Sequence, residues 1–283
     1  MSDRQYSTPV HTLTASHSIH DALIMMKSNF IKRVVVSRDK KAIGILTERD
    51  ISRFLERDTT KRSLSEIPLK EIMKKDLITI TAGQEDFLFQ CATRMMTFKI
   101  GSIIITDENG DLAGIVTRTD ITRVFASRYP GKYRVRDYMS EKTVTCRDSD
   151  YLRYALEILN KNDISRLIVT DNSGHVRGII TTNTFLKHSD YFKRSNGVDR
   201  KYLLGKENAS LTVDSLIGKE ILVVEPDYDL ANAAHLMVQN NISGMPVIAE
   251  NLLVGVITKF DVVRAFCDVP FHKDVLKEYR SPT

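Results

Sequence analysis

The sequence predicts a mixed α/β protein (α+β in the order of its elements) made of four copies of one β-α-β-β-α unit. Three observations predict it: a seven-residue motif recurs four times, a β-branched strand precedes each copy at a fixed interval, and an amphipathic helix precedes each strand. Recurrence at a fixed period is the signature of a repeat architecture.

The motif has the form G-h-h-T-x-x-D. It reads Gly44-Ile45-Leu46-Thr47-Glu48-Arg49-Asp50, then Gly114-Ile115-Val116-Thr117-Arg118-Thr119-Asp120, then Gly178-Ile179-Ile180-Thr181-Thr182-Asn183-Thr184, and last Gly255-Val256-Ile257-Thr258-Lys259-Phe260-Asp261. Only the third copy loses its aspartate. Upstream of each glycine lies a matching strand: Ile31–Val36, Ile100–Ile105, Ile164–Val169 and Ile242–Val247. Between strand and motif, Asp107-Glu108-Asn109-Gly110 and Asp171-Asn172-Ser173-Gly174 have the turn chemistry of hairpins.

A helical period comes first in each copy: Ile19, Ala22, Leu23, Met26 and Phe30; Phe87, Cys91 and Met95 with Leu88, Ala92 and Met96; Leu152, Ala155, Ile158 and Leu159; Leu230, Ala233, Ala234 and Met237. Short β-favouring pieces sit before those helices, Leu13-Thr14, Ile78–Ile80, Val144-Thr145 and Ile221–Val224, and a second helix follows each T-x-x-D. A lead-in echo, Leu69–Met73, Val135–Met139 and Val213–Ile217, introduces copies two to four, with a fainter counterpart around Val10. The predicted repeats span 8–57, 68–126, 134–190 and 212–268, separated by polar linkers. A unit of about 55 residues buries only about 60% of its chain surface, so pairing is expected, as 8–126 and 134–268.

Composition narrows the function. The chain has 283 residues, is 42% hydrophobic and carries a formal charge of +5. No stretch approaches the roughly 20 apolar residues of a membrane span, and the first residues hold no apolar core of a signal peptide. A cytoplasmic protein is expected. Cys91, Cys146 and Cys267 lie far apart, which argues against a disulfide framework or a cysteine zinc site. His11, His17 and His20 with Asp21 could be drawn as a metal site, but Ser18-Ile19-His20-Asp21 reads as a helix start, and no metal is expected. There is no nucleophile elbow, zinc-protease helix, P-loop or dinucleotide fingerprint, so nothing points to an enzyme.

With strand, hairpin and motif repeated four times in register, the chain resembles the CBS-domain (cystathionine-β-synthase domain) family from about residue 8 to 268. The resemblance implies two pseudo-two-fold Bateman modules forming a disc, as in stand-alone archaeal four-CBS proteins and the γ regulatory subunit of AMP-activated kinase. It also implies crosswise clefts, in which T-x-x-D of one repeat faces the h-x-R strand of its partner. Arg33 then belongs with Thr117 and Asp120, Arg166 with Thr258 and Asp261, and Lys32 and Arg49 add charge to the first. The cleft of Thr47 and Asp50 meets Gly101 and Ser102, and that of Thr181 has Thr184 for its carboxylate. One complete cleft per module is expected, with purine pockets assigned to Ile115, Val256, Ala22 and Ala155.

The chemistry has its own logic. A threonine at a strand-to-helix junction can reach a phosphate that the first helix amides also face, and an ionised carboxylate can accept both ribose hydroxyls. The same two residues also cap a helix without any ligand. The expected function is a non-catalytic sensor of adenine nucleotides (AMP, ADP, ATP or a related adenosyl compound), needing no other cofactor and relaying occupancy to a regulated protein as a monomeric disc or homodimer. The alternatives are a basic nucleic-acid-binding protein using residues 190–211, and a nucleotide hydrolase.

Overall fold

A computed structural model describes residues 5–187 except 59 and 61, and residues 211–269 except 219. Copy one runs β1 (Thr12–Leu13), α1 (Ile19–Ser28), β2 (Arg33–Arg38), β3 (Lys41–Thr47) and α2 (Glu48–Arg57). Copy two repeats this order as β4 (Thr79–Thr81), α3 (Phe87–Thr97), β5 (Ser102–Thr106), β6 (Leu112–Thr117) and α4 (Arg118–Arg128). Copy three does so as β7 (Thr145–Arg147), α5 (Leu152–Lys161), β8 (Arg166–Thr170), β9 (Val176–Thr181) and α6 (Thr182–Lys187). Copy four comprises α7 (Leu230–Gln239), β10 (Gly244–Ala249), β11 (Leu252–Thr258) and α8 (Lys259–Asp268).

Each of the first three copies forms a three-stranded sheet with one parallel and one antiparallel pairing. Copy four departs from expectation: the piece ending at Val224 makes a single parallel bridge to Val247 instead of a strand. Pro246 supplies the reason. At the equivalent place in copy two the Ile104 amide donates to the Ile78 carbonyl, and proline has no amide to give, so the ladder does not extend back from Val224 to Leu222.

The first helix of copy one ends at Ser28, short of the Phe30 that its apolar period includes. All four first helices exit through one left-handed residue, Phe30, Lys99, Asp163 or Asn241, with φ between 50° and 53°. The next amide returns to a carbonyl five residues back, as in Ile31 N to Met26 O, the bond of a Schellman stop. Phe30 therefore leaves the buried stripe and is 81% exposed.

Pairing within each half rests on exchanged lead-in segments. Lys74, which introduces copy two, bridges to Ile45 of copy one, while Ser7, ahead of copy one, bridges to Ile115 of copy two. Ser140, which introduces copy three, bridges to Val256 of copy four, and Ile217, ahead of copy four, packs on Gly178 of copy three. The counterpart that the sequence suggests around Val10 thus lies nearer Tyr6 and Ser7. The motif glycine is the seat for these segments. A Cβ at Gly44 would stand 2.5 Å from Met73 Sδ, one at Gly178 2.8 Å from Ile217 Cβ, one at Gly255 2.9 Å from Met139 Sδ, and one at Gly114 would overlap the Tyr6 ring. Val35, Ile104 and Ile115 close the small core between the sheets of copies one and two.

The larger cores lie elsewhere. Ile121 and Phe125 of α4 share one cluster with Ala234 and Met237 of α7 and Val262 and Phe266 of α8, joining copies two and four. Ile19, Ala22 and Ile51 share another with Ala155, Leu159 and Phe185, joining copies one and three. Sheets therefore pair neighbours in the chain, and helices pair copies one half apart. Among the described residues no helix is long and apolar enough to cross a membrane.

Gly114→Ala tests the exchange. Overlap with the Tyr6 ring should cost about 1–3 kcal/mol in denaturant unfolding. In a Tyr6→Ala background the penalty should shrink by at least about 0.5 kcal/mol; an unchanged penalty would mean that Tyr6 does not sit on this glycine.

Candidate functional site

Each strand-to-helix junction is built the same way. Thr47, Thr117 and Thr258 are N-caps in extended conformation, with capping boxes closed by Asp50, Asp120 and Asp261. In all three the threonine amide and hydroxyl both donate to one carboxylate oxygen, the hydroxyl at 2.6–2.7 Å. The threonine proton aimed at a phosphate in the sequence reading is thus held by the aspartate. At the third junction Thr184 receives the Thr181 amide at 3.1 Å and meets its hydroxyl at 3.0 Å, so the cap survives without a charge. The carboxylate is not required for the fold of this junction.

The second oxygen of each aspartate meets a cation. Asp50 pairs with Lys74 at 3.0 Å, Asp120 with Arg123 at 3.0 Å, and Asp261 lies 3.6 Å from Arg264. Burial pushes the Asp261 carboxyl up despite its bonds to Thr258.

Arg33 and Arg166 occupy equivalent starts of β2 and β8 and cross to the neighbouring copy. The Arg33 guanidinium lies over Gly101, where a Cβ would stand 3.0 Å from it. Arg166 fills the space beside Gly244 and bonds the Ser243 hydroxyl. Desolvation lowers the affinity of both for their protons, to about 10 for Arg166. The largest opposing charge is Asp120 for Arg33 and Asp261 for Arg166, while Asp50 acts on Arg33 only weakly. Each arginine thus reaches into the neighbouring copy, where the aspartate of that copy's motif is the strongest opposing charge on it.

Other residues fall differently. Arg49 does not enter the first cleft; with Arg53 it binds Asp163 of copy three, though its charge still reaches Arg33. Lys32 is exposed at the mouth of β2, and its carbonyl accepts from the Glu48 amide. Ile115 lies between the two sheets, and Val256 is partly exposed beside Ser140. Ala22 and Ala155 have no exposed surface, being packed in the helix core of copies one and three. As pocket walls they are corrected to core residues in this conformation. Ser18 and Asp21 close a capping box, as the helix-start reading expects, and no metal-binding cluster occurs among the described residues. The basic stretch 190–210 lies outside the described residues.

Arg49 apart, the sequence reading gave no role to the residues inside T-x-x-D. Lys259, only 5% exposed, donates to Thr119 Oγ1 at 3.1 Å, and Arg118 stacks 4.6 Å from the centroid of Phe260. Asn183 likewise bonds Glu48. A lysine or arginine just after the motif threonine was the available signal. Desolvation pushes Lys259 down to about 8 and Arg118 to about 10.

Because the unfolded lysine keeps its proton to about 10.5 and the folded one only to about 8, the unfolded state binds more protons between these values. Stability is therefore expected to rise with pH from about 8 to about 10.5, by on the order of 3 kcal/mol. Lys259→Met should flatten that rise and stabilise the chain at pH 7, as urea unfolding at several pH values will read. An identical pH profile in the variant would refute it.

Comparison with known proteins agrees with this architecture. The CBS domain family matches residues 4–57, 69–127, 135–191 and 213–268. Protein MJ1225 of Methanocaldococcus jannaschii is 25% identical over 269 residues, covering 90% of this chain and 94% of that protein. Its crystal structure, described as that of an archaeal homologue of γ-AMPK, superposes with a TM-score of 0.80 at 23% identity over 93% of this chain and 98% of that one. A conserved protein from Pyrococcus horikoshii has the same fold, at a TM-score of 0.63 and 20% identity over 92% and 96% of the two chains. An inosine-5'-monophosphate dehydrogenase of M. jannaschii is 27% identical over 210 residues, but the match spans 41% of that enzyme, so its activity does not transfer. Four matched repeats covering most of the sequence, each with the same antiparallel hairpin, make this chain a member of the CBS domain family.

Proposed function

We propose that this chain is a non-catalytic sensor of adenine nucleotides or related adenosyl compounds, which it binds between paired repeats of modules 8–126 and 134–268 and whose occupancy it relays to a regulated protein in the cytoplasm. The observation that carries the reading is that Arg33 reaches over Gly101 of copy two and Arg166 beside Gly244 and Ser243 of copy four, where Asp120 and Asp261 are the largest opposing charges on them. In each pair a desolvated guanidinium suits a phosphate and a carboxylate at a helix start suits a ribose diol. Asp50 meets no arginine of copy two, whose equivalent position is Ser102. The junction at Thr184 has no carboxylate at all. Two clefts are thus equipped for both ends of a nucleotide.

Calorimetry on the full chain tests this reading. Two AMP-binding events are expected, Asp120→Ala and Asp261→Ala each removing one and Asp50→Ala changing little. Arg33→Ala should weaken AMP by about tenfold or more, and adenosine far less, since a charged hydrogen bond contributes roughly 1.5–3 kcal/mol. Equal losses for AMP and adenosine would remove the phosphate role. Affinity for nucleic acid that falls steeply with salt, with no nucleotide heat, would favour the alternative instead.

A further inference from the structure

Arg264, three residues after Asp261 on α8, is held from two sides. Its guanidinium lies 3.6 Å from one oxygen of Asp261, donates to the Tyr138 carbonyl and stands 5.6 Å from the centroid of the Tyr138 ring. Tyr138 belongs to the lead-in of copy three, which carries the chain from the linker between the halves to the seat of Met139 on Gly255. That lead-in is pinned to copy four: the Val135 amide donates to the Tyr228 carbonyl, the Arg136 amide to that of Pro226 and the Ser140 amide to that of Val256, at 2.8–3.0 Å. The Tyr138 ring also meets Tyr133 edge-on at 5.8 Å, and Tyr133 lies 5.7 Å from Phe125 of α4. One side chain therefore joins a motif aspartate to the segment that links the two halves.

The two clefts that have an arginine differ here. Asp120 is paired with Arg123 along one helix, and the Arg123 side chain is 59% exposed, which makes the pair a weak one. Asp261 is only 4% exposed, and its arginine has a fixed second acceptor in another copy. A cation held between a buried carboxylate and a backbone carbonyl transmits the position of each to the other. The charges that face Asp261 are Arg264 on its own helix, Arg166 from β8 and Arg118 from α4, with the Thr258 hydroxyl on its other oxygen. Burial already pushes this carboxyl up, so removal of Arg264 raises it further, and the cleft then loses its diol acceptor at a higher pH.

We propose that Arg264 is a positioning residue of the second cleft, which fixes one oxygen of Asp261 and ties that carboxylate to the lead-in of copy three, so that the segment joining the halves responds to the state of the cleft. The proposal rests on the nucleotide reading for the identity of the ligand. The tie itself does not depend on it.

Two measurements on the full chain test it, and the first needs no ligand. Native-state hydrogen exchange of the Ser140 amide is compared in the unaltered chain, Asp261→Asn, Arg264→Met and the double variant. Each single change should speed that exchange by about tenfold, the worth of one charged hydrogen bond, and the double variant should be no faster than the faster single one. The equivalent Lys74 amide of module 8–126, bonded to Ile45, should keep its rate. Rates that multiply in the double variant, a Ser140 rate that neither substitution changes, or an equal rise at Lys74 would overturn the tie. The second measurement isolates the cleft in an Asp120→Thr background, a residue that closes the same junction at Thr184. Adenosine, which carries no group titrating near neutrality, is followed by calorimetry as the pH is lowered. Its affinity should fall at a higher pH in Arg264→Met than in the unaltered cleft, and Arg264→Lys should restore part of the difference; an identical profile in Arg264→Met would overturn the positioning role. Adenosine and AMP that bind no form of the chain would remove the nucleotide reading and leave the tie to be decided by exchange, whereas Asp261-dependent binding with unchanged exchange would keep that reading and sink the tie.

Discussion

The bond from a threonine hydroxyl to the side chain three residues later fixes how each sheet turns into its second helix. Through that angle α2, α4 and α8 present their apolar faces to the opposite half, and the residues trapped inside the turn become the contact between halves. Thr184 makes the comparison internal to the chain, for it supplies the same cap with a neutral oxygen. Three aspartates therefore add charge to a turn that folds without it. That surplus is the reason to read them as more than caps.

The periodic parts of the fold were legible in the sequence: the four motifs, the hairpins and the inward faces of the first helices. Hairpin turns were readable because Asp107 and Asp171 bind the amides two and four residues on, and Gly110 and Gly174 take positive φ. Phe30 misled because an apolar period says nothing of a left-handed stop. Pro246 was visible, but the residue whose pairing it prevents, Leu222, lies 24 residues earlier in the sequence. The motif glycines carried no stated reason in the sequence, and their role is to admit Met73, Tyr6, Ile217 and Met139.

The site was legible in its pairings and not in its surroundings. Repeat equivalence singles out Arg33 and Arg166, and the resemblance to the family supplies the crosswise partners Asp120 and Asp261, the largest opposing charges on them. The commitment of Arg49 to Asp163, and of Lys259 to Thr119, depends on copies one and three, or two and four, meeting through helices, and no local spacing encodes that. Long side chains beside a conserved-looking turn can point into either of two neighbours, and only the packing decides.

The division of labour between sheets and helices also orders events at the ribosome. Once residue 128 has emerged, the first two repeats can complete every bridge of their own, from Ser7 to Ile115 and from Ile45 to Lys74. Yet Ile121 and Phe125 still await α7 and α8, whose first residue, Leu230, is synthesised about 100 residues later. A nascent half therefore holds finished sheets beneath bare helices, and at synthesis rates of about 5–20 residues per second it stays so for seconds. Throughout that interval the apolar faces of α2 and α4 stay open to water and to any other apolar surface, so the hazard of the fold lies in the order of synthesis rather than in any single repeat.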